Sequence, residues 1–215
     1  LAVEGGAGFL GGLIAGFLAG YVIVGLKKVF SRLPQSLEGL KPTLLYPVFG
    51  ILIVGLIMVF VINTPIAALM DGLMNFLNGL SGANAVILGL ILGGMMAVDM
   101  GGPVNKTAFA FGIAMAASGN FSPQAAVMIG GMVPPLGLAL ATTFFKNKFT
   151  AAERDAGKTN YVMGASFITE GAIPFAAADP IRVIASCIVG SAVAGGLALF
   201  FGCESQAPHG GIFVL

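Results

Sequence analysis

Gly5-Gly-Ala-Gly-Phe-Leu-Gly-Gly-Leu-Ile-Ala-Gly-Phe-Leu-Ala-Gly-Tyr-Val-Ile-Val-Gly-Leu26 runs for 22 residues without a charge, and a membrane-spanning helix needs about 20 mostly apolar residues. The segment is long enough to cross a bilayer. Gly8, Gly12, Gly16 and Gly20 recur within it at every fourth position. That spacing puts them on one helix face and predicts close approach by another backbone. Gly6-Ala-Gly-Phe-Leu-Gly11 also spells the dinucleotide pattern GxGxxG, but no sizeable strand can precede it and no acidic residue follows about 20 positions on, so the match is accidental.

The rest of the chain agrees with this stretch. Of 215 residues, 57% are hydrophobic and 9% charged, and the mean hydropathy is +0.99, whereas soluble domains carry about 25% charged residues. Ten basic and nine acidic side chains cannot cover the surface of a water-soluble fold of this size. The solvent is a bilayer, and the length allows roughly five to seven crossings with little room for a soluble domain. The 33 glycines are about twice the usual ~7% share and mark close helix packing or broken helices. A net charge of +1 without basic runs interleaved with aromatics excludes nucleic acid as a partner. Cys187 and Cys203 fit neither a zinc nor a CxxC spacing and are expected to be small buried hydrophobes. The chain starts at Leu1 and stops inside the apolar Ile212-Phe-Val-Leu215, which is expected of a fragment of a longer protein.

Two basic loops set the orientation. Lys27, Lys28, Arg32 and Lys41 lie in the first, and Lys146, Lys148, Arg154 and Lys158 in the second; both are expected on the cytoplasmic side. Between them Pro42 to Ile62 reads as a crossing that ends at Asn63-Thr64-Pro65, with Thr64 as helix cap and Pro65 as first residue of the next helix. Ile66, Leu69, Met70, Leu73, Leu77 and Leu80 then recur at helical spacing opposite Asp71, Asn75 and Asn78, the pattern of an amphipathic helix at the interface. Asn84 to Val98 is a shorter helix heading back into the membrane. Ser118–Pro123 divides the uncharged stretch 107–145, and Val183 to Phe201 is the last full crossing.

Two segments break the rules of the bilayer in the same manner. Asp99-Met-Gly-Gly-Pro103 and Glu170-Gly-Ala-Ile-Pro174 each place an acid four residues before a proline. With Lys106, Asp179 and Arg182 they put five ionisable groups at apparent membrane depth, at about 2.5 to 3.5 kcal/mol each on insertion scales. Such groups must face a cavity or each other. Asp179 and Arg182 read as a pair at a helix start. Glu170 has no basic residue within eleven positions, which marks it as functional. Paired discontinuous helices point to a transporter's binding site, and freed backbone groups with a carboxylate, an amide and an imidazole suit a polyhydroxylated solute. The one histidine, His209, sits in a further break, Pro208-His-Gly-Gly211. One histidine and no suitable cysteines leave no metal site. Asn105-Lys-Thr107 spells a glycosylation sequon, placed by its surroundings as a chance match.

Gly93-Gly-Met-Met-Ala-Val-Asp-Met-Gly-Gly-Pro-Val-Asn-Lys106, Phe167-Ile-Thr-Glu-Gly-Ala-Ile-Pro-Phe-Ala-Ala-Ala-Asp-Pro-Ile-Arg-Val183 and Ala207-Pro-His-Gly-Gly-Ile-Phe-Val214 closely resemble the membrane-embedded IIC component of the fructose-specific bacterial phosphotransferase system. Leu37-Glu-Gly-Leu-Lys-Pro42 and Gly130-Gly-Met-Val-Pro-Pro-Leu136 match as well. The resemblance implies an all-α, multi-pass protein of the bacterial inner membrane with broken or re-entrant hairpins. It implies group translocation: the sugar, fructose or a close relative, is bound outside, carried inward and presented to a phosphorylated IIB domain of a phosphohistidine-dependent sugar phosphotransferase. Glu170 would be the catalytic carboxylate, with Asp99, Asn105, Lys106, Thr169, Glu170 and His209 binding substrate and no cofactor. Residues 1–83 would be scaffold and 84–215 the transport region, in a homodimer. The alternative from the residues alone is an ion- or proton-coupled carrier of a small polar solute, in which Asp99 and Glu170 take up protons.

Overall fold

A computed structural model describes residues 6–80 and 84–214, and among these every regular element is helical. The chain divides into two compact units between Asn75 and Phe76.

The first unit begins with α1, Gly8–Phe30, which carries Lys27 and Lys28 in its last turn, where their charge complements the helix dipole. The Phe30 ring lies 6.2 Å from Tyr46 and 5.6 Å from Phe49, so α1 packs against α2, Tyr46–Ile57. Lys41 is buried and pairs with Glu38 at 2.8 Å. The break expected at Thr64-Pro65 does not occur. A π-helical turn, Met58–Ile62, joins α2 directly to α3, Asn63–Gly79, and the Asn63 amide donates to the Met58 carbonyl five residues back. That widened turn makes room for a proline ring and absorbs its missing N–H, so helix runs from Lys41 to Gly79. The glycine stripe of α1 also departs from expectation: a Cβ built on Gly12, Gly16 or Gly20 meets nothing within 4 Å. The stripe is open, flanked by exposed Phe17 and Tyr21.

Close glycine packing is found in the second unit instead. Here α4 (Ala85–Val98), α6 (Ser122–Phe144) and α9 (Pro180–Phe200) meet. A Cβ on Gly93 would strike the Ser191 carbonyl, one on Gly195 the Gly89 carbonyl, and one on Gly130 would lie 2.6 Å from the Gly93 Cα. Three backbones thus touch where only glycine fits. The shorter helices are α5 (Pro103–Ala117), α7 (Ala151–Ala165) and α8 (Ile173–Ala178). Among the described residues, four helices are long and apolar enough to cross a membrane, beginning at Leu10, Lys41, Ser122 and Pro180, and Ala85–Val98 is a shorter apolar helix.

Polar ends are satisfied locally. Thr150 and Glu153 form a capping box at the start of α7, and its hydrogen bonds hold the Glu153 carboxyl below its ordinary pKa. Asp179 accepts from the Arg182 amide and pairs with its guanidinium at 3.4 Å, the helix-start pair read from the sequence. Cys187 is buried in a cluster with Ala97, Met100, Leu138, Ala172 and Phe175. Cys203 is exposed, contrary to expectation: α9 ends at Phe200, and residues 201–204 beyond it are all exposed.

Candidate functional site

The site is built from three interruptions of helix. In the first, α4 stops at Val98, Met100 adopts φ 47° and Gly101 φ 119°, and Pro103 opens α5 as its first residue. The left-handed conformation is costly for a methionine, and strain of this kind clusters at functional sites. Asp99 reaches back over the turn: Oδ2 accepts from the Val104 amide at 2.6 Å and Oδ1 from the Asn105 amide at 3.0 Å. Its carboxylate is spent on the N-terminus of α5. Asn105, 2% exposed, donates from Nδ2 to the Met96 carbonyl at 2.7 Å and ties α5 to α4; that burial also excludes the sequon as a modified site.

The second interruption follows α7. Phe167 takes φ 63°, the αL position usually given to glycine after a helix, and the Ile168 amide bonds the Met163 carbonyl at 2.8 Å, closing the helix end. Thr169–Ala172 then form a 3₁₀ turn that carries Glu170. The Thr169 hydroxyl, buried, donates to the Gly131 carbonyl of α6 at 2.9 Å. Gly131 leaves the space that the Phe167 ring and Thr169 fill. The Glu170 side chain lies over the first interruption, so that a Cβ on Gly101 would sit 2.7 Å from its Oε1.

The third interruption is Pro208-His-Gly-Gly211. Gly211, at φ 59°, seats against the Ala165 carbonyl, where any Cβ would clash. The His209 ring lies 4.8 Å from that of Phe167 and 6.4 Å from Phe109.

Together these segments enclose a cavity of about 70 Å³ walled by Asn105, Lys106, Thr169, Glu170 and His209 with Met96, Phe109 and Phe167. Five of the six residues expected to bind substrate converge there. Lys106 Nζ and Glu170 Oε1 face each other at 3.5 Å, both side chains partly exposed. Charges that are 64 positions apart in sequence neutralise each other across the cavity. Asp99 is not on its wall. Phe109 and Phe167, which sequence reasoning passed over as site residues, supply an aromatic face beside the polar groups. Asp99→Ala is expected to lower stability by about 0.5–2 kcal/mol through loss of the cap, read as a lower thermal midpoint in detergent.

A larger cavity of about 570 Å³ lies between α6, α8 and α9, with Lys148, Glu153, Asp179 and Arg182 at its edge and apolar walls including Val133, Leu138 and Cys187. At its edge Asp179 pairs with Arg182 and Glu153 bonds Thr150. The smaller cavity, not this one, gathers the polar residues that the sequence singles out.

Residues 1–190 match the family described as Phosphotransferase system, EIIC. The chain is 65% identical over its whole length to the PTS system fructose-specific EIIABC component of Bacillus subtilis, of which it covers 34%. It is 64% identical over its whole length to the Fructose permease IIC component of Bacillus amyloliquefaciens, covering 70% of it. The PTS system fructose-specific EIIC component of Haloferax volcanii is 47% identical over 98% of the chain, which covers 56% of that protein. The chain thus spans about a third of the first of these relatives. No solved structure matches it.

Proposed function

The chain belongs to the phosphotransferase system EIIC family, and from that premise we propose that it is the sugar-binding and translocating part of a fructose permease of the bacterial inner membrane. The observation that carries this reading is the convergence of Glu170, Lys106, Asn105, Thr169 and His209, from three separate chain breaks, on one cavity. A sugar hydroxyl is both donor and acceptor. Glu170 offers the acceptor, Lys106 and His209 offer donors, and the Phe109 and Phe167 rings offer a flat apolar face for the C–H side of a sugar.

The Lys106 ammonium faces the Glu170 carboxylate at 3.5 Å and holds it toward the cavity. A carboxylate so held accepts the proton of the hydroxyl to be phosphorylated, as general base or as orienter, and raises the nucleophilicity of its oxygen. The phosphoryl group comes from a phosphorylated IIB partner or from another part of a longer polypeptide, as the names of the fused relatives suggest; without it the chain phosphorylates nothing. At about 70 Å³ the cavity is well below the ~300 Å³ at which ligand pockets begin. The sugar therefore binds when the three breaks move apart, and the hinges are the turns at Met100 and Phe167. Residues 1–83 act as scaffold and 84–215 as the moving region, in a homodimer; all eight residues on the cavity wall lie in the latter.

Uptake into cells lacking the general phosphotransferase proteins tests the reading. It should collapse, and in competent cells the product should be sugar phosphate. Persistent accumulation of free sugar would instead establish the ion-coupled carrier, a reading that neither the family nor the relatives support. Lys106→Met removes a charge-assisted donor worth about 1.5–3 kcal/mol. Fructose affinity is expected to fall roughly 10- to 150-fold, measured by equilibrium binding to membranes.

A further inference from the structure

We propose that Gln124 is the positioning residue for His209: its buried amide fixes the Pro208-His209 turn against the cavity. This rests on the reading of His209 as a sugar-binding group. Gln124 lies in the first turn of α6 and is 0% exposed. Its Nε2 donates to the Pro208 carbonyl at 2.7 Å, across 84 positions of sequence. Its Oε1 is buried without a hydrogen-bond partner and lies against Gly112, where any Cβ would clash.

The unsatisfied half decides between packing and positioning. A buried acceptor left unpaired costs about 1–3 kcal/mol, and a leucine or methionine would fill the space between α5 and α6 without that cost. The amide is accounted for by its other half. On either side of the turn, the Ser205 amide bonds the Phe121 carbonyl at 3.2 Å and Gly211 seats on Ala165. Those anchors hold the ends of the segment, and the ring contacts with Phe167 and Phe109 orient the imidazole plane. The Gln124 bond, next to His209 itself, sets how far the ring reaches into the cavity.

The test uses the full-length protein in membranes with radiolabelled fructose as probe, the phosphorylated partner being added only where phosphorylation is read. Gln124→Leu and His209→Ala are each expected to weaken fructose binding about tenfold. The double variant should be within about twofold of His209→Ala alone, because a residue acting through His209 has nothing left to act on. Effects that multiply in the double variant, or a His209→Ala protein that binds normally, overturn the proposal. If Gln124→Leu does not fold, Gln124→Asn keeps the donor and withdraws it by one methylene. Carbethoxylation of His209, the one histidine of the chain, should then proceed several-fold faster at an unchanged thermal midpoint; an unchanged rate overturns the proposal. Glu170→Gln run in parallel separates the two readings. If it phosphorylates sugar normally the proposed function fails, whereas if it is inactive and the other two effects multiply, only the positioning role fails.

Discussion

Glu170→Gln should abolish sugar phosphorylation, by at least ~10²- to 10⁴-fold, in a protein that inserts and purifies like the parent. Glutamine keeps the shape and two of the carboxylate's hydrogen-bonding positions, so the seat over Gly101 survives. The charge is lost: a neutral amide cannot take up the hydroxyl proton, and Lys106 faces it without a counter-charge at 3.5 Å. Because Glu170 is exposed to the cavity, packing does not depend on its charge, and the thermal midpoint should stay within a few degrees. Phosphorylation of fructose by membranes supplied with the soluble phosphotransferase proteins is the measurement. Activity near the parent's would sink the role given to Glu170.

Gly93→Val should yield almost no folded protein. A Cβ there strikes the Ser191 carbonyl, and the Gly130 backbone lies on the other side, so neither α9 nor α6 can give way alone. Overpacking a core costs about 1–3 kcal/mol where side chains can shift; here three main chains would have to separate, and the loss should exceed 4 kcal/mol, at the far end of single-site effects. The neighbour supplies the control. A Cβ on Gly94 meets the Ala192 Cβ at 3.5 Å, an ordinary contact, so Gly94→Ala should be monodisperse in detergent while Gly93→Val is not. Equal behaviour of the two would contradict the crossing.

Helix breaks were legible because glycine, proline and a charge inside an apolar run can mean little else at membrane depth. Which carboxylate faced the cavity was not legible. Asp99 and Glu170 stand in matching patterns, each four residues before a proline, but Asp99 directly follows its helix and its short side chain reaches the free amides of α5. Glu170 rides on a 3₁₀ turn and its longer side chain extends across to Lys106. One methylene and the local turn geometry make that difference, and neither is visible in a pattern. The glycine stripe of α1 and the triplet Gly89, Gly93 and Gly195 illustrate the same limit: spacing shows which glycines share a face, whereas tertiary contact decides which face is used. Proline favours the first position of a helix, which is what Pro65 suggests in sequence, but the π turn before it carries the helix through.

The three buried side chains that frame the cavity share one habit. Asn105 bonds the Met96 carbonyl, Thr169 that of Gly131 and Gln124 that of Pro208. Each donor is a particular side chain, while each acceptor is main chain, which any residue provides. So far as these bonds go, the frame is asymmetric in its demands: it constrains identity at three positions and asks only for a backbone path at the other three. Substitution at Met96 or Pro208 therefore leaves these bonds in place, and the side chain at 96, which lines the cavity, is free to vary before the frame comes untied.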